Sequence, residues 1–236
     1  MMLLALDVGY RRIDTHKTKD MTKNCLHTLL FSFLIIPSAI FSQNSDGWIF
    51  KNEKNGIRVY YKKTSDVYEL KLITSIQSSM AGLVSLLSDV ESYPQWGYKI
   101  TEAEFLAKHS ETESVYRSRF DFPWPLDDRD IVMHNKVQQD PVSGKVTATS
   151  TATPSMAPER PDAVRIRDAR TVWTIYPGSG GWLYVEYYVY SNPGGNLPDW
   201  LVNMALDVGP RETIQHIRQH VAHPRYQAAR LSFIRG

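Results

Sequence analysis

The chain has 236 residues, with 27 Lys and Arg against 25 Asp and Glu, a single cysteine and a formal charge of +2. Five of the basic residues (Arg11, Arg12, Lys17, Lys19, Lys23) and three of the acidic ones (Asp7, Asp14, Asp20) fall within residues 1–42, which leaves 22 of each and no net charge beyond them. That balance excludes the counterion-release electrostatics of a nucleic-acid binder, and the position of Cys25 excludes disulfides, thiol catalysis and Cys-ligated metal from the rest of the chain.

Lys17, Lys19 and Lys23 precede an apolar run from Leu29 to Phe41 that ends in Ser42-Gln43. A basic lead, an apolar stretch of about 7–15 residues and small residues at its end form a secretory signal. Pro37 breaks the run, which is too short for a comfortable membrane span of about 20 residues. We read residues 1–20 as an upstream extension, 21–42 as a signal peptide opening at Met21, 43–223 as one domain and 224–236 as a tail. A buried apolar helix and a retained anchor are the alternatives for the run. Cys25 lies ahead of it, which argues against a lipoprotein.

The domain opens near Trp48, and Asn55-Gly56 is a strong hairpin turn. Residues 56–61 and 69–76 read as strands rich in β-branched and aromatic residues. Ser78 or Ser79 caps a helix carrying Leu83, Val84, Leu86, Leu87 and Val90. Tyr93-Pro94-Gln95-Trp96 ends it, because the residue before a proline disfavours helical geometry.

Residues 114–122 alternate, with Tyr116, Ser118, Phe120 and Phe122 opposite Arg117, Arg119 and Asp121. Residues 130–137 set Ile131, Met133, Asn135 and Val137 against Val132, His134 and Lys136. A strand over 145–153 turns Ala148, Ser150 and Ala152 to one side, and strands over 164–175 and 182–190 flank the glycine-rich turn 177–181. Such alternation describes an antiparallel sheet with one face covered. From Pro198 onward, Leu201, Met204, Ala205, Val208, Ile214, Ile217 and Val221 recur at helical spacing. Pro198 suits a first turn, Gly209-Pro210 is expected to kink or open the helix, and Pro224 ends it. Periodicity alone gives an α+β class.

No Gly-x-Ser-x-Gly elbow, Walker loop or dinucleotide glycine fingerprint is present. His216, His220 and His223 have metal-ligand spacing, but Gln219 stands where a zinc hydrolase needs glutamate, so a solvated helix end is the expected reading. His134 is expected to be structural. No cofactor, metal or catalytic residue is expected.

Five segments in order resemble the START family, the steroidogenic-acute-regulatory-protein-related lipid-transfer domains. These are Trp48, Tyr93 to Trp96, Trp124-Pro125 through Arg129-Asp130, Val164-Arg165 with Trp173, and Pro193-Gly194-Gly195 with Pro198 and Trp200. The resemblance implies a helix-grip fold like that of Bet v1, a curved antiparallel sheet around a long C-terminal helix with an internal cavity. It also implies a container for one hydrophobic ligand, a lipid, with transient membrane contact during transfer.

Ligand contact is expected from Trp96 at the post-helix turn and from Tyr116, Ser118, Phe120, Met133 and Asn135 on the sheet. Trp173, Tyr187, Trp200, Met204 and Val208 complete the set. Tyr116 and Asn135 stand roughly where some family members carry an acidic–basic pair, which argues against a charged clamp; Arg165 and Arg167 are the remaining phosphate candidates, at the mouth. Arg129 and Asp130 read first as a rim ion pair. A polyketide cyclase or aromatase of the wider superfamily is the competing function, and a closed scaffold without a cavity is a third.

The leader generates the first test. Protein recovered from its native host should start near Gln43 by intact mass, and a chain retaining Met1 overturns cleavage.

Overall fold

The computed structural model describes residues 46–64, 67–194 and 198–235, apart from the side chains of residues 199, 200, 202–204 and 206. Residues 1–42, read above as an extension and a signal peptide, and residues 195–197 lie outside the described residues.

Asn55 and Gly56 both take positive φ, 54° and 67°, as a type I′ hairpin turn requires. They join β1 (Ile49–Lys54) to β2 (Ile57–Thr64). β3 (Val67–Gln77) follows, and Ser79 then caps α1 (Met80–Ser88) by accepting from the Gly82 amide at 3.0 Å. The helix ends before Tyr93. Tyr93 to Trp96 forms its own short helix, α2, in which Tyr93 is helical (φ −53°, ψ −38°) despite preceding proline. Pro94 sits in the first turn of that helix, where its missing N–H costs nothing.

β4 (Ile100–Ser110) was not anticipated by alternation, and β5 (Glu113–Phe120), β6 (Asp128–Gln139) and β7 (Val146–Ala152) follow. The strand expected over 164–175 is two: β8 (Ala163–Ile166) and β9 (Asp168–Pro177), separated at Arg167. β10 (Trp182–Asn192) completes one sheet in the order β1-β2-β3-β10-β9-β7-β6-β5-β4. Every pairing is antiparallel except β8, which runs parallel to β6 along residues 128–131, just beyond the edge that β7 occupies.

α3 (Asp199–His220) lies over the inner face. Pro198 is its N-cap, outside the first turn, and the helix runs through Gly209-Pro210 without interruption. Pro224 opens a further short helix, α4 (Pro224–Gln227), whose Tyr226 is buried and bonds Asp89 at 2.7 Å. Leu231, Phe233 and Ile234 also pack on the core. The segment read as a tail is therefore part of the domain.

Two arginines seven residues apart, hence on one face of α3, clamp the first hairpin. Arg211 donates to the Ile57 carbonyl (2.9 Å) and to Asp207 (2.7 Å), and Arg218 donates to the Asn55 carbonyl (2.8 Å). Among the described residues no helix is long and apolar enough to cross a membrane.

Arg129 and Asp130 do not pair with each other, because adjacent strand residues face opposite sides. Asp130 is fully buried on the outer face and takes a two-pronged bond from Arg165 (2.9 and 2.8 Å), which also donates to the carbonyls of Pro154, Ala157 and Pro158. Arg129 turns inward and donates to the Pro193 carbonyl at 3.1 Å and to that of Asp127. The rim ion pair is thus replaced by two buried structural devices.

Removing one member of a buried pair leaves an uncompensated charge and costs about 3–5 kcal/mol. Asp130→Ala should lower the urea-unfolding free energy by that order, and a loss under about 1 kcal/mol, the range of exposed pairs, would show that the pair is solvent-relaxed.

Candidate functional site

Residues facing the same way on neighbouring strands line up in rows across the sheet. Asn135, Ser150, Thr171 and Val189 form one such row over β6, β7, β9 and β10. Val137, Ala148, Trp173 and Tyr187 form the next. Tyr116, Ser118 and Phe120 stand on β5 beside them. Above this floor, α1 contributes Val84 and Leu87, α2 contributes Tyr93 and Trp96, and α3 contributes Leu201, Ala205 and Gly209. These surfaces do not meet. They enclose a cavity of about 800 Å³, within the range of small-molecule sites (about 300–1,000 Å³).

The structure places Trp96, Tyr116, Ser118, Phe120, Met133, Asn135, Trp173 and Tyr187 together on its wall. The side chains of Trp200 and Met204 lie outside the described residues. Val208 does not line it and is 41 % exposed. The reason is helical phase: Leu201, Ala205, Gly209 and Thr213, at i+4 spacing, form the row over the cavity, and Val208 falls on the neighbouring row. Arg165 is consumed by Asp130 and three carbonyls, and Arg167 is exposed and pairs with Glu159, so neither serves the cavity. Thr171, Tyr93 and Tyr98 are lining residues outside the expected contact set. Thr171 was legible, standing two residues before Trp173 on the same strand face.

The aromatic wall is fixed by packing and by backbone partners. Trp173 and Tyr187 stack at 3.8 Å between centroids. Tyr93 packs edge-on against Trp96 (4.8 Å) and Tyr116 (5.4 Å), and its hydroxyl donates to the Leu87 carbonyl at 2.7 Å. Trp96 donates to Ser92 at 2.9 Å. Deeper polar groups form a chain: Tyr116 donates to Ser150 (3.4 Å), and Ser150 donates to the Asn135 carbonyl oxygen (3.0 Å). Ser118 Oγ is buried with no partner among the described residues.

Among the described residues the charged side chains lining the cavity are Lys99 and Asp121, which pair at 2.7 Å. The histidines of the α3 end are used locally: His216 Nδ1 meets the Trp96 carbonyl (3.2 Å), His220 Nδ1 meets the His216 carbonyl (2.9 Å), and His223 caps α4. Among the described residues no group of His, Cys, Asp and Glu is arranged to hold a metal ion.

Burial pushes the phenols of Tyr93, Tyr116 and Tyr187 upward, Tyr93 further through its neighbours Tyr116 and Tyr187, while the Ser150 bond offsets part of the rise at Tyr116.

The comparisons agree with this geometry. A family model described as START domain matches residues 41–229. An uncharacterized protein of Pseudomonas aeruginosa is 27 % identical over 176 residues, 74 % of this chain and 86 % of that one. The phosphatidylcholine transfer protein of Mus musculus is 27 % identical over 169 residues, 69 % of this chain and 78 % of that one. A crystal structure of a STAR-related lipid transfer protein fragment from Xanthomonas axonopodis superposes with a TM-score of 0.69 at 28 % identity, covering 75 % of this chain and all of that one.

The phenols set an alkaline limit. A folded-state value above the ordinary tyrosine range near 10 stabilises the fold below that pH, and the contribution is lost as pH rises through the folded-state value. Absorbance titration at 295 nm should show six of the 13 tyrosines lagging the rest, the three cavity phenols together with Tyr188, Tyr190 and Tyr226, with cooperative unfolding as pH climbs above about 10. Tyr187→Phe should remove one lagging phenol; full titration of the native protein near pH 10 would contradict their burial.

Proposed function

The chain belongs to the START domain family, and on that premise we propose that it holds one apolar molecule at a time, a lipid, in the cavity and exchanges it with membranes. The continuous space of about 800 Å³ between sheet and α3 carries this reading. Burial of apolar surface yields about 25 cal/mol per Å², so an alkyl chain or fused ring is held without directional contacts and the few polar groups orient it.

Exchange needs membrane contact, and the loop from Asp121 to Asp127 supports it. Trp124 is 91 % exposed there, next to Phe122 and Pro123, which line the mouth. An indole of this exposure suits the membrane–water interface. The leader read over residues 21–42 supports action outside the cytoplasm.

We read the chain as a carrier, not an enzyme. An acid or base serves best with a pKa near the working pH. The shifted groups inside the cavity are tyrosines, and burial moves them away from neutrality. Among the described residues no histidine lines this wall to serve the competing cyclase or aromatase reading.

Ala148, beside Trp173 on the floor, offers a direct test. Ala148→Phe should fold normally yet cut bound lipid, measured by native mass spectrometry, about tenfold, equivalent to about 1.4 kcal/mol. Trp124→Ala should retain capacity while slowing transfer between vesicles several-fold. Full loading of the Ala148 variant would place the ligand elsewhere.

A further inference from the structure

We infer that the cavity selects lipids whose polar end is uncharged, bearing hydroxyl, ester or keto groups, over lipids carrying a phosphate or carboxylate. This rests on the container reading above and narrows its ligand class.

The polar groups deep in the cavity are a coherent set. Asn135, Ser150 and Thr171 sit side by side on three adjacent strands, and Tyr116 reaches the same stripe through its bond to Ser150. The internal chain leaves vacancies. With its oxygen bonded by Ser150, the Asn135 amide nitrogen has no partner among the described residues, nor have Thr171 Oγ1 and the Tyr187 hydroxyl. Ser118 Oγ is buried and unpartnered. Asn135, Thr171 and Tyr187 line the cavity half-buried, so this wall offers neutral donors and acceptors to whatever fills the space.

No cation is available to receive a phosphate there. The charged residues lining the cavity among those described are Lys99 and Asp121, which neutralise each other at the mouth. Arg129 donates to the Pro193 and Asp127 carbonyls and is not among the residues lining the cavity, while Arg165 pairs with Asp130, and Arg119 with Asp128 (2.8 Å) and Asp162 (2.5 Å). The stretch from Gly195 to Leu206 contains no Lys, Arg or His in its sequence. A phosphate drawn to the stripe would lose its hydration without a paired cation. Holding the phosphate at the mouth instead sets it against Asp121 and leaves the stripe facing alkyl chain.

The experiment offers the mature chain vesicles of dioleoylphosphatidylcholine and dioleoylphosphatidylglycerol, doped with dioleoylglycerol, cholesterol and a long-chain quinone. Protein is re-isolated and its lipid identified by mass spectrometry. We expect at least one uncharged class enriched about tenfold or more over its vesicle mole fraction, with both phospholipids depleted. Phospholipid bound at or above its mole fraction overturns the inference while leaving the container reading intact. Capture of no lipid, with Ala148→Phe behaving as wild type, sinks the container reading and the inference with it. Asn135→Arg, which puts a cation beside Ser150, should shift capture toward phosphatidylglycerol. Should that variant not fold, Asn135→Leu serves: reduced enrichment of the uncharged class supports the stripe's role, and unchanged selectivity refutes it.

Discussion

Ile214, Ile217 and Val221 lock the C-terminal half of α3 into the apolar core, where each is 1 % exposed or less. The cavity follows from the N-terminal half of the same helix not doing so. Among the described residues its inward row is Leu201, Ala205, Gly209 and Thr213, mostly small or polar side chains. A sheet of ten strands that curls around one helix encloses more volume than that helix fills. The sequence places large residues at one end, where packing yields stability, and small ones at the other, where space is left. Core and container thus share a single helix.

The frame that keeps this space open is held from outside. Asp130 and Arg165 tie β6 to the segment that leads into β8, and the Arg119 contacts with Asp128 and Asp162 extend the same outer network. Arg211 and Arg218 fasten the first hairpin to α3 through backbone carbonyls. Each arginine meets a committed acceptor, so structural charge does not enter the cavity. The inner wall is rigid for another reason, its stacked and edge-on aromatic rings. The pairs of Asp130 with Arg165 and of Arg119 with Asp128 and Asp162 stand on the outer face of the strands, whereas Arg129 turns inward and is held by the Pro193 and Asp127 carbonyls.

The strand faces were legible because period-2 alternation survives wherever one side is buried. It assigned Tyr116, Ser118 and Phe120, and Met133 and Asn135, to the face that lines the cavity. β4 escaped because Glu102, Ala103, Glu104, Leu106, Ala107 and Lys108 have helix-favouring composition, and three irregularities in its pairing with β5 disturb the alternation. The break at Arg167 was invisible because β8 pairs with β6 through a distant parallel contact. Arg129 and Asp130 were misjudged by treating sequence neighbours as spatial partners, although strand geometry sends them to opposite faces. Val208 was misassigned because an apolar side chain at near-helical spacing fits either of two adjacent rows, and only the packing of α3 against Tyr98 selects one. The 224–235 segment offered no periodicity at all; burial of Tyr226 arises from its bond to Asp89, a contact 137 residues away.

That packing also locates the border between the two halves of α3. A Cβ on Gly209 would lie 2.7 Å from the Tyr98 ring, closer than carbon atoms pack, so glycine lets the helix approach at this point. Pro210 follows, and a proline inside a helix lacks the N–H that would close a rung one turn earlier. Three residues on, Thr213 Oγ1 accepts from the Tyr98 amide at 3.2 Å, and the fully packed residues begin at Ile214. The weakest rung therefore lies where anchored helix gives way to roof. At the other end of the roof, Arg129 grips the Pro193 carbonyl just before the turn. A pivot at Gly209-Pro210 would leave the apolar core that begins at Ile214 undisturbed. The residues that pack the core and those that leave the cavity open thus stand on different halves of one helix.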